Sequence, residues 1–356
     1  MKTIFFSLTL NNRSLTDYYI TLCNKLVEKH SVVIIADKIE EHPYQISSKI
    51  DIYSWPSVRP TKLRDFVFLS SLVRKYKPDV MISMFGAVNV FLIVGFAFNV
   101  KHRIPWYHTA SGAMITRPII KMRKKLVFRL ATSFFANSHF SKQDMFDYFN
   151  IPLKKIHVTY NAIRLSAQEK VPTDNNKIVF AGRLHFTKGV ETLIAAMPMV
   201  IDRLPETKLV LIGGYLTGNV IKRYIEMAKN LNVYENIDFK GNVANEIVKK
   251  EFSEAYLTVL PSLYEAFGYV VIESFAVNTP VIGSNTSGIA EIIRDGIDGF
   301  LFEPGNENDL AEKIIHLMLH PEKREIFSMN CYERVKETFE LEKVTDYVVS
   351  KIDNLE

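Results

Sequence analysis

The sequence predicts an α/β protein with two parallel sheets, each covered by helices on both faces. Two observations carry that reading. Short β-branched and aromatic runs alternate with helical patterns twice along the 356 residues, and repeated strand and helix units build parallel sheets. Between the two series lies SAQEKVPTDNNK (166–177), polar, proline-bearing and weakly patterned, which reads as a linker. The length fits two domains, and 47% apolar residues suffice for two cores.

Taken in order, the first series of strands is IFFSLTL (4–10), SVVIIAD (31–37), DIYSW (51–55), DVMIS (79–83), IPWYHT (104–109), SFFANS (133–138) and IHVTYN (156–161). The second is KIVFAG (177–182), KLVLIGG (208–214), IDFKG (237–241), LTVLPS (257–262) and TPVIGS (279–284). From Val80 to Val100 there are 21 residues without a charge, enough in length to span a bilayer. Ser83, Gly86, Asn89, Gly95 and Asn99 dilute that run, and strand and helix alternation continues on either side, so a buried strand followed by a buried helix is expected.

Charge divides the chain. Residues 1–165 hold 24 Lys and Arg against 10 Asp and Glu, whereas the remainder holds 20 against 29. The densest cationic segment, from Arg117 to Arg129, sets Lys121, Arg123, Lys124 and Lys125 among apolar residues and reads as a basic amphipathic helix. Such a helix either rests on an anionic surface or covers a domain core with a solvated face, and the excess of cations in the first half favours the anionic surface. The two cysteines, Cys23 and Cys331, have no metal-ligand spacing and suggest a reducing compartment. The first apolar stretch reads as a strand and not as a cleavable leader, so a cytoplasmic enzyme is expected, at most peripheral on the inner face of a membrane.

The chemistry concentrates in LPSLYEAFGYVVIESFAVNTPVIGS. A strand ends near Leu260, a helix opens near Phe267 to Tyr269, and Glu265 and Glu273 have seven residues between them, Glu265 just outside the helix and Glu273 about two turns inside it. Unpaired N–H groups at a helix start suit a phosphate, while a carboxylate beside them accepts hydrogen bonds from hydroxyls. A ligand carrying both, such as a nucleotide sugar, fits. A second corner follows KIVFAG, where Arg183 and Lys188 precede a helix expected to open near Gly189. Two cations at a helix N-terminus neutralise charge on a departing diphosphate, although a basic pair standing alone would read as a solvated loop.

With FAGRLHFTKG (180–189), LVLIGG (209–214), FKGNV (239–243) and SGIAEIIRDGIDGFLFEPGN (287–306), these segments resemble, in order, the GT-B glycosyltransferases of the family 4 type, the glycosyl transferases of group 1, which retain anomeric configuration. The resemblance runs from Lys177 to about Pro304. It implies a GT-B fold, two Rossmann-like domains facing a central cleft: residues 1–165 on the acceptor side, a linker at 166–176, a nucleotide-sugar domain at 177–340, and a helix at 341–356 returning to the first domain. By the same resemblance Glu265 binds hydroxyls of the transferred sugar, Ala266, Phe267, Gly268 and Tyr269 offer backbone contacts, Gly241 and Val243 line the donor site, Glu273 binds ribose, and Arg183 and Lys188 bind the diphosphate. His108, at the end of a strand, corresponds to a histidine beside the transferred sugar. Ser138 and Asn161 either face the cleft or cap a helix or turn.

Two departures stand out. The loop after the first strand, TLNNRSLTDYY, lacks the family's glycine pair, leaving Asn11, Asn12 and Arg13 either as substrate contacts or as turn residues. Asn278 replaces a glycine at a helix end, where asparagine tolerates the left-handed conformation. No Asp has another Asp two positions on, so metal-independent transfer without a cofactor is expected, with Arg183 and Lys188 in place of a Lewis acid. The resemblance implies a UDP- or GDP-hexose donor and front-face transfer with retention. A lipid-linked or cell-envelope glycan is the expected acceptor, ahead of a soluble or nucleic-acid acceptor and of a non-catalytic binding subunit.

Overall fold

Continuous apolar runs decide the architecture: β-strands such as Val80–Met84 and Ala255–Leu260 bury every residue, so each sheet needs a covering layer on both faces. In the computed structural model, which describes residues 1–111, 118–165, 171–214 and 218–355, thirteen strands form two wholly parallel sheets. The chain divides into two compact units, Met1–Arg164 with Glu340–Glu356, and Leu165–Phe339.

The first unit holds β1 (Thr3–Leu10), β2 (Ser31–Ile39), β3 (Asp51–Ser54), β4 (Val80–Met84), β5 (His102–Tyr107), β6 (Phe134–Ala136) and β7 (Ile156–Val158). They lie in the order β3-β2-β1-β4-β5-β6-β7. Along β1, Ile4, Phe6 and Leu8 face one way and pack with α1 (Ser14–Leu26), while Phe5 faces the other and packs with residues of α2 (Leu63–Tyr76) and α3 (Val88–Ala97). α4 (Pro118–Phe128) and α5 (His139–Phe149) complete the covering layer. Val80 to Val100 is therefore a buried strand and a ten-residue helix, and no helix among the described residues is long and apolar enough to cross a membrane.

The second unit holds β8 (Asp174–Ala181), β9 (Lys208–Ile212), β10 (Ile237–Gly241), β11 (Ala255–Leu260), β12 (Val281–Ser284) and β13 (Gly299–Phe302), ordered β10-β9-β8-β11-β12-β13. Its helices are α6 (Val190–Arg203), α7 (Gly218–Asn230), α8 (Asn245–Glu254), α9 (Tyr269–Phe275), α10 (Ile289–Ile292), α11 (Glu307–Leu319) and α12 (Pro321–Thr338). Ile178 and Phe180 pack with Leu193, Met197 and Ile314 on one face; Val179 and Ala181 pack with Phe252 on the other. Asn278 adopts φ 60°, the left-handed conformation expected where the helix gives way to the next strand.

The last helix, α13 (Leu341–Asp353), belongs to the first unit. Leu341, Val344, Val348 and Ile352 join the β1 and α1 core, and Lys25 on α1 pairs with Asp346 at 2.6 Å and Glu342 at 2.8 Å. Lys2 Nζ donates to the carbonyls of Ile352 and Asp353, each at 2.8 Å, a cation at the negative end of the helix. Glu340 caps α13 by accepting from Lys343 N and bridges to Ile163, so the first unit resumes at Glu340 and not at 341.

Other boundaries differ from the sequence reading for local reasons. The linker ends sooner, because Asp174 already pairs with Ala255 and β8 starts there; residues 166–170 lie outside the described residues. β13 was not read as a strand: it has four residues and one neighbour, β12. β5, β6 and β7 stop short of the expected ends, since β6 offers only three residues to pair.

Candidate active site

In both sheets the strand order reverses direction beside the first strand, between β1 and β4 in one and between β8 and β11 in the other. Open α/β sheets bind ligands at such switch points, outside the carboxyl ends of the strands. The loops leaving β8 and β11 carry Arg183, Lys188 and Glu265.

Close backbone packing joins those loops. Gly189, with φ 63°, caps α6, and a Cβ there would stand 1.9 Å from the Pro261 carbonyl oxygen. Only glycine allows the two loops this approach. The Leu263 amide donates to the Thr187 carbonyl at 2.9 Å, and the Lys188 ammonium donates to Glu265 Oε2 in an ion pair that is neither fully buried nor exposed. Gly288 closes the other side: its amide donates to the Glu265 carbonyl at 3.0 Å, and a Cβ would lie 2.5 Å from the Ala266 oxygen. Glu265 is thus clamped between two glycine contacts, one of which, at Gly288, the residue reading did not single out although it lies in the SGIAE segment.

Arg183 is exposed on the same loop as Lys188. Ala266, Phe267 and Gly268 are buried, Gly268 caps α9 with φ 96°, and Tyr269 is its first residue; the Phe267 ring packs edge-on to Phe339 at 5.7 Å. α9 has seven residues, so Glu273, four residues after Tyr269, stands little more than one turn in, within the last turn, and not two turns inside a longer helix. Gly241 ends β10 with φ 67° and accepts from the Gly213 amide at 2.7 Å, while Val243 packs against the cluster that holds Ala181 and Ile212.

His108 stands one residue beyond β5 in the first unit. Its Nε2 lies 2.6 Å from the Tyr19 phenol oxygen and its Nδ1 3.5 Å from the Asn137 amide nitrogen. Burial pushes its pKa down to about 3, so the imidazole is neutral at physiological pH. The ring packs against both Trp106, at 6.0 Å and 28°, and Phe85, at 5.3 Å and 31°. Tyr19 and Phe85 escaped the sequence reading because neither belongs to a motif. Ser138 caps α5 by accepting from Ser141 N at 2.9 Å, Asn161 is buried, and Asn11 accepts from the Thr16 hydroxyl at 2.7 Å in the turn before α1. Ser138 and Asn11 are thereby accounted for by local structure.

Arg117 lies outside the described residues. From Pro118 on, α4 buries only Phe128 and leaves Ile119, Met122 and Leu126 exposed among Arg123, Lys125 and Arg129, with Lys121 over the Tyr148 ring at 3.8 Å. No group of three potential metal ligands occurs among the described residues. His316 and His320 form an H-x-x-x-H, a spacing that the expectation of metal-independent transfer had taken to be absent; their rings stack at 4.3 Å and His320 Nδ1 donates to the His316 carbonyl.

The family model described as Glycosyl transferases group 1 matches residues 162–334, and that described as Glycosyltransferase Family 4 matches residues 16–167. An uncharacterised glycosyltransferase of Methanocaldococcus jannaschii is 31% identical over 59% of this chain and 56% of its own length. The capsular polysaccharide biosynthesis glycosyltransferase CapM of Staphylococcus aureus is 27% identical over 82% of this chain and 66% of its own. The chain thus spans between half and two thirds of these relatives. Among solved structures, HepE of Anabaena in complex with UDP and glucose superposes over 100% of both chains with a TM-score of 0.81 at 16% identity, which bears on the fold.

Proposed function

This chain belongs to the GT-B glycosyl transferases of group 1, and we propose that it moves a hexose from a nucleotide-diphosphate sugar, UDP- or GDP-linked, to a hydroxyl of a cell-envelope or lipid-linked glycan. The observation that carries this is the Lys188–Glu265 pair at the switch point of the second sheet. An ammonium and a carboxylate held side by side match a ligand that presents a diphosphate beside sugar hydroxyls. Donor binding would divide the pair, Lys188 turning to the diphosphate with Arg183 and Glu265 accepting from the sugar. Glu273 would take ribose hydroxyls, and the backbone at Gly241, Val243 and Ala266 to Tyr269 the remainder of the donor.

Transfer is proposed to retain configuration. As the diphosphate leaves, the anomeric carbon gains oxocarbenium character, the acceptor hydroxyl approaches from the same face, and a leaving-group oxygen takes its proton. No enzyme nucleophile is needed, and Glu265 orients the sugar without attacking it. Neutral His108, whose ring nitrogens face Tyr19 and Asn137, would act on the sugar side by its dipole, stabilising positive character near the anomeric carbon. Arg183, Lys188 and the start of the fourteen-residue α6 supply positive potential without a metal ion.

The acceptor class rests on the relation to CapM and on the first unit's surface. Residues 62–130 hold 13 Lys and Arg and 2 Asp. α4 turns Ile119, Met122 and Leu126 outward among those cations, an arrangement that suits an anionic bilayer better than a nucleic-acid backbone, which gains nothing from apolar contacts.

The test is a panel of UDP, GDP and ADP sugars, read by thermal shift and by mass-spectrometric loss of donor, with and without EDTA. Stabilisation by one nucleotide series with EDTA-resistant turnover is expected. Stabilisation without turnover under any condition points to a binding subunit, and turnover abolished by EDTA overturns metal independence. Flotation with anionic but not neutral liposomes tests the membrane surface.

A further inference from the structure

The switch point of the first sheet, between β1 and β4, holds a feature that folding alone does not reward. Phe85 follows β4 directly and adopts φ 52°. Bulky residues avoid the left-handed region, where the side chain crowds the backbone. Such strain is ordinarily offset by burial, yet Phe85 is 53% exposed. Its ring is the outermost of three. Trp106 is buried in the core, His108 lies on it at 6.0 Å and 28°, and Phe85 lies on His108 at 5.3 Å and 31°. The middle ring is held at both nitrogens, by the Tyr19 phenol at 2.6 Å and by the Asn137 amide at 3.5 Å, and Tyr19 meets it edge-on at 89°. The exposed ring therefore rests on a fixed support.

We propose that Phe85 is the platform on which a sugar ring of the acceptor stacks. A pyranose has one face of polarised C–H bonds, which complements the negative face of an aromatic ring and buries apolar area against it. The stack is neutral, whereas the cations and carboxylates suited to a nucleoside diphosphate lie on the β8 and β11 loops of the other unit. A neutral sugar ring is thus the ligand class that this corner fits. The strain at Phe85 directs the side chain toward solvent at the carboxyl edge of the sheet, where a ligand can reach it.

The proposal rests on the glycosyl-transfer reading for the word acceptor, and its test does not need turnover. Saturation-transfer NMR is measured on the full chain with methyl α-D-glucopyranoside, methyl α-D-mannopyranoside and methyl N-acetyl-β-D-glucosaminide as probes. Wild type is expected to saturate the ring C–H protons of at least one probe. Phe85→Gly is expected to lose that signal by about fivefold while holding or raising thermal stability, because glycine removes the φ penalty; Phe85→Tyr is expected to keep the signal. No saturation of any probe by wild type, or equal saturation by wild type and Phe85→Gly, overturns the platform. A marked fall in the melting temperature of Phe85→Gly assigns the ring a structural role and overturns it equally. Donor turnover absent from every protein with sugar saturation intact sinks the transferase reading and leaves the platform standing.

Discussion

The two units share one strand order around their first strand and differ in what they place at its switch point. In the second unit glycines let backbone loops touch, and the result is a charged corner, Lys188 against Glu265 with Arg183 nearby. In the first, no glycine follows β1 and the corner is aromatic and neutral, Phe85 on His108 on Trp106. Topology fixes where a ligand can sit, while loop residues fix which ligand. A charged corner suits a diphosphate, and a neutral ring stack suits a sugar.

The contrast breaks most completely at Gly189. Gly189→Ala would drive a Cβ to 1.9 Å from the Pro261 oxygen and force a positive φ on alanine, separating the loops that carry Lys188 and Glu265. Donor turnover should fall about 100-fold or more, with a stability loss on the order of 2 kcal/mol or more in denaturant titration. Turnover within a few-fold of wild type would mean the two loops need not touch.

Next in size, Glu265→Gln keeps shape and removes charge, so turnover should drop by about tenfold or more with the fold intact. Lys188→Ala should slow donor loss comparably while leaving the melting temperature nearly unchanged. A large drop in stability instead would make the ion pair a structural element and weaken the donor-site assignment.

The smallest effect sharpens the neutral side. A histidine held at about 3, against 6.5 in the unfolded chain, binds no proton when folded over a range where the unfolded chain binds one. Stability is then fully present above pH 6.5 and is lost as pH falls toward 3. Between pH 6.5 and 5 the loss attributable to His108 should reach at most about 2 kcal/mol. A His108→Gln variant should show a correspondingly flatter profile in thermal melts across that range; an unchanged profile would mean that His108 titrates in the folded state.

Much of the second unit was legible because its signals are local. Glu265 and Glu273 lie in one strand-loop-helix segment, and Gly189 and Gly268 mark helix starts where a left-handed residue is needed. α4 was only half legible: spacing showed an amphipathic helix, but whether Ile119, Met122 and Leu126 faced a core or solvent depends on which neighbours pack against it. The first unit's corner was illegible beyond His108, since Phe85 and Tyr19 carry no motif and meet that ring from the turn after β4 and from α1.

The sequence by itself determined the two runs of strands and helices, the placement of the charged motifs on loops after strands, and the division of charge between the halves. These follow from side-chain period and composition within short windows. Only the tertiary structure decided that Lys188 meets Glu265 across 77 positions, that α13 closes the first unit, and that Phe85 is strained and exposed. Each depends on contacts between segments distant in the chain, where packing of neighbours and not local preference selects the conformation.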